Sequence, residues 1–305
     1  MYRSVFLPLD GSRFSEQALP LALSLVKRDG AKLEVVHVHH AASDDEWVPV
    51  TPFHYEGLER SEREWNGSDL QRENAYLCNC LENGHVDTTG VTLCKVLEGD
   101  VVPALEKEIA ETDPDLIIMA THGRGGVSRA WLGSTADTLV RDVHKPILLI
   151  RATEEDEPVD LRTDHILVPL DGSRLGEAVV KHALELADPG RTRITLLRVV
   201  QPAYVGPEFT INVQGDTLLD ERVEGAHEYL KELATQLTAE GFVIETDVVV
   251  SSSAAGAILA YATAHDADII CMATHGRTGV KRWLLGSVAD KVMRGASTPL
   301  LLYRP

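Results

Sequence analysis

Two segments of the chain carry residue types that could hold an anion. Each reads Ala-Thr-His-Gly, then nine residues, then Gly-Ser, and the two begin at Ala120 and Ala273. Glycine in such a segment lets backbone N–H groups approach a ligand without obstruction by a Cβ atom. A helix beginning at Ser134 or Ser287 would add free N–H donors and a partial positive charge. Together these features suit a polyphosphate.

Capping is the alternative explanation of the two serines. Ser134-Thr-Ala-Asp137 and Ser287-Val-Ala-Asp290 resemble capping boxes, in which side chains satisfy the first N–H groups of a helix. Capping would account for the serine and the aspartate, but it leaves the preceding Thr-His-Gly-Arg unexplained. Both interpretations place a helix start at the serine.

A second pair of candidates follows the first strand-like run of each half. Asp10 and Asp171 come directly after an apolar run and precede Gly-Ser. Such an aspartate could accept hydrogen bonds from a base or ribose at the carboxyl edge of a sheet. It could equally belong to a strand-to-helix turn, in which glycine supplies the bend and Ser12 or Ser173 the N-cap. The residues alone leave both roles open.

These candidates occur in pairs because the chain repeats itself. The segment that opens at Val5 returns at Ile166, and the segment that opens at Asp115 returns at Asp268, with offsets of 161 and 153 residues. Two copies of this length indicate a duplicated domain rather than a solenoid of short repeats. The expected boundaries are 1–152 for the first domain, 153–162 for an acidic, proline-containing linker, and 163–305 for the second domain.

Apolar strand-like runs alternate with amphipathic helical patterns in each copy. Runs such as Leu116–Ala120 are apolar throughout, as expected for strands covered on both faces. The alternation predicts the α/β class, with a doubly wound parallel sheet in each domain and ligands beyond the carboxyl ends of its strands. The predicted strands are Val5–Leu9, Leu33–Val38, Val91–Leu97, Leu116–Ala120 and Pro146–Ile150, then Ile166–Leu170, Ile194–Val200, Val243–Val250, Ile269–Ala273 and Pro299–Tyr303.

The amino-acid composition argues against some classes of binding partner. The chain has 29 lysine and arginine residues against 47 aspartate and glutamate residues, for a net charge of −18. This charge argues against nonspecific binding to nucleic acid or to an anionic membrane, because both need a basic surface. Four cysteines are too few for a disulfide scaffold, and neither a signal peptide nor a membrane-length apolar run is visible. We therefore expect a cytoplasmic protein.

The two motif blocks resemble those of the universal stress proteins. The adenine-nucleotide-binding branch of that family carries Gly-x2-Gly-x9-Gly-Ser/Thr, and this chain matches the motif twice except at Ala120 and Ala273. The resemblance covers nearly the whole chain. It implies two tandem five-stranded parallel sheets of the adenine nucleotide alpha hydrolase-like type, in strand order 3-2-1-4-5. It also implies that the two domains pair through their last strands, as in the family's homodimer.

The resemblance further implies which residues contact the nucleotide. In the first domain, adenine and ribose would lie near Pro8, Asp10, Val38, Met119 and Ala120, and the phosphates near Gly123, Arg124, Gly133, Ser134 and Thr135. In the second domain, the matching residues are Pro169, Asp171, Val199, Met272, Ala273, Gly276, Arg277, Gly286, Ser287 and Val288. Arg124 and Arg277 could instead be ordinary exposed loop arginines.

The surroundings of the two motifs differ. Glu98-Gly-Asp100 follows the third strand of the first copy, whereas Ser251-Ser-Ser-Ala254 follows that of the second. An acid such as Asp100, if it faced the cleft, would repel phosphates or recruit Mg²⁺ to them. The serines would do neither, and could simply cap a helix.

The function implied by the resemblance is that of a stress-response regulator that binds ATP, ADP or AMP in each domain, with or without Mg²⁺. No catalytic residue is assigned, because neither motif pairs a general base with an activated nucleophile. No metal site is expected at His37 and His39, which alternate along a strand. The alternatives are a slow ATP-hydrolysing or nucleotidyl-transferring enzyme, and an interaction protein that binds no nucleotide. Homodimerisation stays open.

Overall fold

The computed structural model describes residues 1–39, 77, 91–121, 133–152, 162–202, 213–274 and 285–305. The strands are β1 Ser4–Leu9, β2 Lys32–His39, β3 Val91–Glu98, β4 Leu116–Ala120, β5 Ile147–Ile150, β6 His165–Pro169, β7 Arg193–Val200, β8 Val243–Val250, β9 Ile269–Ala273 and β10 Leu300–Tyr303. The helices are α1 Arg13–Glu16, α2 Ala18–Asp29, α3 Val101–Thr112, α4 Ser134–Asp142, α5 Arg174–Glu177, α6 Val180–Leu186, α7 Val213–Ala239, α8 Ala254–Ala264 and α9 Ser287–Gly295.

These strands form one sheet, in the order β3-β2-β1-β4-β5-β10-β9-β6-β7-β8. Each half has the order 3-2-1-4-5 with parallel pairing throughout. The halves join where β5 and β10 pair antiparallel, with Leu149 opposite Leu300 and Ile147 opposite Leu302. The predicted fold class is confirmed, and the last strands pair as expected.

Seven of the ten predicted strands differ from the observed strands by one residue at one or both ends, and three of these ends involve a proline. Pro146 and Pro299 precede β5 and β10 rather than opening them, although their carbonyls accept from the neighbouring strands at 3.0 Å. A proline has no N–H to offer a ladder, so it suits the position before a strand. Leu170 lies just beyond β6, which ends at Pro169.

Both faces of the central strands are buried, as the uninterrupted apolar runs predicted, whereas the edge strand β8 is half-buried to exposed. Successive residues of a strand point to opposite faces, so Val5 and Leu7 belong to one core cluster and Phe6 to another. We call the face covered by α2, α6 and α7 the first face. The second face is covered by α3, α4, α8 and α9. Since α4 and α9 follow the motif segments, both motifs lead to the second face.

Side chains join the two domains on the first face. Arg28, near the end of α2, donates from Nη1 to the carbonyl of Leu186 at 2.6 Å and from Nη2 to that of Glu185 at 3.1 Å. Its Nε donates to Asp29 at 2.7 Å, and the Asp29 side chain is fully buried. Positive charge at the last carbonyls of α6 is favourable for the helix dipole. Arg28 therefore stabilises the contact between the domains.

No helix in the described part of the chain combines the length and apolar character needed to cross a membrane.

Candidate functional site

The strand order places the candidate residues at one edge of each sheet. It reverses between β1 and β4 in the first domain and between β6 and β9 in the second. Asp10 follows β1, and Thr121 follows β4; Asp171 and Thr274 follow the matching strands. Parallel neighbouring strands end at the same edge, and ligands of doubly wound folds bind at such a reversal.

A glycine is the N-cap of each helix that follows the motif segment. The N–H of Gly133 donates to the carbonyl of Thr121, and the N–H of Gly286 donates to that of Thr274, both at 2.8 Å. These bonds fix the start of α4 and of α9 against the end of the preceding strand. Neither N-cap contributes a side-chain hydrogen bond.

The capping-box interpretation of these helix starts is therefore wrong. Ser134 and Ser287 are the first helical residues rather than the caps, so their hydroxyls are one position too late to bond the next N–H groups. Asp137 and Asp290 do not reach back to the cap, because each carboxylate pairs with an arginine one turn further along its helix. The first-turn N–H groups thus lack side-chain caps in the part of the chain that the structure describes, and they are suited to an anionic ligand.

The aspartates after β1 and β6 organise a turn. Oδ1 of Asp10 accepts from the N–H and hydroxyl of Ser12 at 2.9 and 2.6 Å. Oδ1 of Asp171 accepts from the same groups of Ser173 at 2.9 and 2.5 Å. The two serines cap α1 and α5, as the turn interpretation predicted. Contact of the aspartates with a nucleoside stays a prediction.

Six of the residues expected near the base and ribose share the second face. Met119 and Met272 are buried in the second-face cluster, and Val38 and Val199 pack against it. Pro8 and Pro169 lie on the same side, because each is two residues beyond a strand residue of that cluster. Fold and alternation thus bring these residues to the side of the sheet on which α4 and α9 begin.

Ala120 and Ala273, the two departures from the family motif, belong to the other side. Both pack against the first-face cluster, whereas α4 and α9 pack on the second face. The extra methyl groups therefore point away from the helix starts, and the alanine N–H groups keep their capacity to donate.

The structural role of two basic side chains near the edge was not predicted from the sequence. His37 Nδ1 lies 2.8 Å from the carbonyl of Leu9, and Arg198 Nη1 donates to the carbonyl of Leu170 at 3.2 Å. Each supports the backbone immediately before the aspartate of the turn. The available signal was that His37 and Arg198 occupy the same position in the two copies, at the offset of 161 residues that relates their strands.

The two domains differ around these common features. Thr135 of α4 is replaced in α9 by Val288, which packs against the second-face cluster. Ser253 caps α8 by accepting from the N–H of Gly256 at 3.2 Å, as one interpretation of the serines predicted. Asp100 is the N-cap of α3 without a side-chain cap bond and is exposed. Its role toward Mg²⁺ stays a prediction.

Four predicted phosphate contacts, Gly123, Arg124, Gly276 and Arg277, lie outside the described residues. Among the residues that are described, no three His, Cys, Asp or Glu side chains are grouped closely enough to hold a metal ion.

Comparison with known proteins agrees with this architecture. The model of the universal stress protein family matches residues 1–151 and again 162–304. A universal stress protein of Mycolicibacterium smegmatis is 23% identical over 308 residues, covering 99% of this chain and 97% of that protein. One from Methanocaldococcus jannaschii is 32% identical over 141 residues, covering 46% of this chain and 81% of that protein.

Solved structures show the same fold over the whole chain. The crystal structure of a universal stress protein from Archaeoglobus fulgidus has a TM-score of 0.62 at 19% identity, covering 99% of this chain and 98% of that one. A Pseudomonas aeruginosa protein described as functionally unknown has a TM-score of 0.66 at 16% identity, with coverages of 100% and 93%.

Fold and motif placement together define a tandem α/β protein with two sheets of the adenine nucleotide alpha hydrolase-like order, joined through their last strands. Since the family model matches both halves, the chain belongs to the universal stress protein family.

Proposed function

We propose that each domain binds one adenine nucleotide, ATP, ADP or AMP, and that the protein acts as a nucleotide-dependent regulator in the stress response. In each domain the phosphates would meet the start of α4 or α9. The base and ribose would lie over the second face, near Met119 in the first domain and Met272 in the second.

The observation that carries this proposal is the repeated helix start. Gly133 and Gly286 each hold the first turn against a strand end by a bond of 2.8 Å, and no described residue caps either helix with its side chain. A side-chain cap would use N–H groups that a phosphate needs, so leaving the helix uncapped suits an anion site. The same arrangement occurs twice in a chain whose net charge is −18, so binding of an anion would depend on such local donors.

The adenine end of the proposal rests on the family motif and on the shared second face. Apolar residues converge there next to the helix start, as a base and a phosphate chain on one ligand require. Binding is the primary role, because the motif segments supply no paired general base and nucleophile. ATP hydrolysis or nucleotidyl transfer, if present, would be slow.

Mass spectrometry of small molecules released from freshly purified protein tests the proposal, followed by a turnover assay with ATP and Mg²⁺. We expect AMP, ADP or ATP to be released, or to bind when added, and turnover to be slow or absent. Failure of all three nucleotides to copurify or bind would contradict nucleotide binding and favour an interaction protein. Rapid multiple turnover would instead favour an enzyme.

A further inference from the structure

Aspartates from the two domains share one guanidinium group. Nη2 of Arg141 on α4 lies 2.9 Å from Oδ1 of Asp137 on its own helix and 3.7 Å from Oδ1 of Asp290 on α9. Asp290 is also bound by Arg294, whose Nε lies 3.1 Å from Oδ2. The four side chains therefore form one chain of ion pairs that crosses from one domain to the other.

Both aspartates lie in the first turn of the helices proposed to bind phosphate. The N–H of Asp137 donates to the carbonyl of Gly133 at 3.0 Å, and that of Asp290 to Gly286 at 2.9 Å. A phosphate at either helix start would thus lie about one turn from a carboxylate, and the two charges would repel. The more completely an arginine neutralises that carboxylate, the more tightly the site binds an anion.

The other ends of these helices are held by the opposite domain. Arg304, which follows β10, donates to the carbonyl of Arg141 at the end of α4. Arg151, which follows β5, reaches the carbonyl of Ala296 after α9 at 3.5 Å. Each domain thus places a cation at the C-terminal end of its neighbour's helix, where it favours the helix dipole. These contacts keep α4 and α9 side by side.

We propose that this chain of ion pairs couples the two nucleotide sites, so that a nucleotide bound in one domain weakens binding in the other. Arg141 already forms two hydrogen bonds of 2.9 Å with Asp137. Phosphates near Asp137 hold the guanidinium there at the expense of the longer 3.7 Å contact with Asp290, which leaves Asp290 less neutralised at the second site. Phosphates near Asp290 have the converse effect, as reciprocity of coupling requires. This inference rests on the proposed function, because it concerns the same two sites.

The expected coupling is modest because the charges are only partly buried. The side chains of Arg141, Asp137 and Asp290 are 26%, 32% and 31% exposed, and that of Arg294 is 50% exposed. Ion pairs at such positions are screened by solvent and salt. We expect the first nucleotide to weaken binding of the second by about threefold.

Isothermal titration with ATP at low ionic strength tests the coupling. Wild-type protein gives the overall association constant for filling both sites. Gly286→Val gives the constant of the first site alone, and Gly133→Val gives that of the second. The coupling factor is the overall constant divided by the product of the two single-site constants. Any difference in intrinsic affinity between the two sites cancels in this ratio. We expect about one third in the wild type and about 1 when Arg141→Gln is added to all three proteins.

Lys107→Gln is the matched control, because it removes the same charge from an intrahelical pair with Glu111 on α3. It should leave the coupling factor at the wild-type value. The coupling factor is also measured at high salt, in proteins that keep Arg141 and both aspartates. It should approach 1 there, because salt screens the charges.

The possible results separate the two claims. A coupling factor of 1 at low salt, with both sites binding ATP, would overturn the coupling and leave the proposed function intact. A factor below 1 that survives both Arg141→Gln and high salt would overturn the ion-pair route. Absence of nucleotide binding in the wild type would overturn the proposed function and the coupling together.

Discussion

The N–H of Gly133 bonds the carbonyl of Thr121 at 2.8 Å and so fixes the start of α4 against the end of β4. Gly286 and Thr274 repeat the bond at the same length in the second domain. In both domains the glycine is the N-cap, and the turn of helix after it has N–H groups without a side-chain cap. Because of this geometry, a substitution at the helix start should change nucleotide affinity with little effect on protein stability.

Gly133→Val should reduce nucleotide affinity at the first site with little loss of stability. The backbone of Gly133 has φ −64°, which any residue adopts, and among the described residues an added Cβ would meet only the Thr121 carbonyl, at an ordinary 3.7 Å. We expect affinity at that site to fall by at least about a hundredfold, below detection in the titration, because a branched side chain would stand where the phosphates approach. The free energy of unfolding should fall by about 1 kcal/mol or less. Titration calorimetry and urea denaturation would measure the two effects. Equal affinity would show that the phosphates bind elsewhere.

Asp10→Ala should affect both stability and ligand selectivity. The substitution removes the acceptor of two hydrogen bonds from Ser12 and loosens the turn before α1. We expect the free energy of unfolding to fall by about 1–2 kcal/mol. Preference for adenosine nucleotides over inorganic triphosphate should also weaken, as measured by competition titration. Asp220→Ala, at an exposed position of α7, is the control for loss of a carboxylate. If Asp10→Ala keeps its preference for adenosine nucleotides, Asp10 stabilises the turn and does not contact the nucleoside.

Glu34 should make the protein less stable as the pH rises. It is 8% exposed on β2, and its Oε1 has no hydrogen-bond partner among the described residues. Burial raises the pKa of Glu34, and the hydrogen bond with the buried Glu108 raises it further. The folded protein therefore keeps a proton that the unfolded chain releases. The stability this provides is complete below the unfolded pKa and is lost as the pH rises through the folded pKa.

Glu34→Gln removes this dependence because the amide stays neutral. We expect its free energy of unfolding to exceed the wild-type value by about 1 kcal/mol near pH 8 and to equal it near pH 4. Urea denaturation across this pH range would measure the difference. Glu240→Gln, at an exposed position, is the control for loss of a negative charge. A difference that does not change with pH would contradict a retained proton.

Arg28→Ala should destabilise the contact between the domains. It removes two hydrogen bonds to the last carbonyls of α6 and two to the buried Asp29 carboxylate. We expect a loss of about 2–3 kcal/mol in the free energy of unfolding. Lys27→Ala, at the exposed neighbouring position, should change it by less than about 0.5 kcal/mol. Similar effects of the two substitutions on denaturation would show that the Arg28 contacts contribute little.

The strands and the helix starts could be predicted from local sequence, whereas the strand order 3-2-1-4-5 was implied only by the resemblance to the universal stress proteins. Uninterrupted apolar runs such as that ending at Ala120 indicate strands buried on both faces, and repeated motifs give the same connections twice. The first residue of each helix was also predicted correctly, at Ser134 and Ser287. The N-cap residue was predicted wrongly. A shift of one residue decides whether serine or glycine is the N-cap, and the Ser-x-x-Asp pattern fits either position of the helix start.

Contacts between distant residues had no such local signal. Arg28 meets the end of α6 more than 150 residues away, and Arg141 meets Asp290 across the pairing of β5 with β10. Both contacts depend on how the two folded domains pack together. The spacing of residues within one sequence repeat carries no information about that packing. The support of Leu9 by His37 likewise depends on the register of β1 against β2, in which these two residues lie opposite each other.

Calorimetric titration of the wild type and of the double variant Gly133→Val/Gly286→Val with ATP, ADP and AMP tests nucleotide binding at the two helix starts most directly. We expect two sites per chain for at least one nucleotide in the wild type and no measurable binding in the double variant. The double variant should still unfold cooperatively, which would show that its fold is intact. Unchanged stoichiometry and affinity in the double variant, or no binding of any nucleotide to the wild type, would contradict the account.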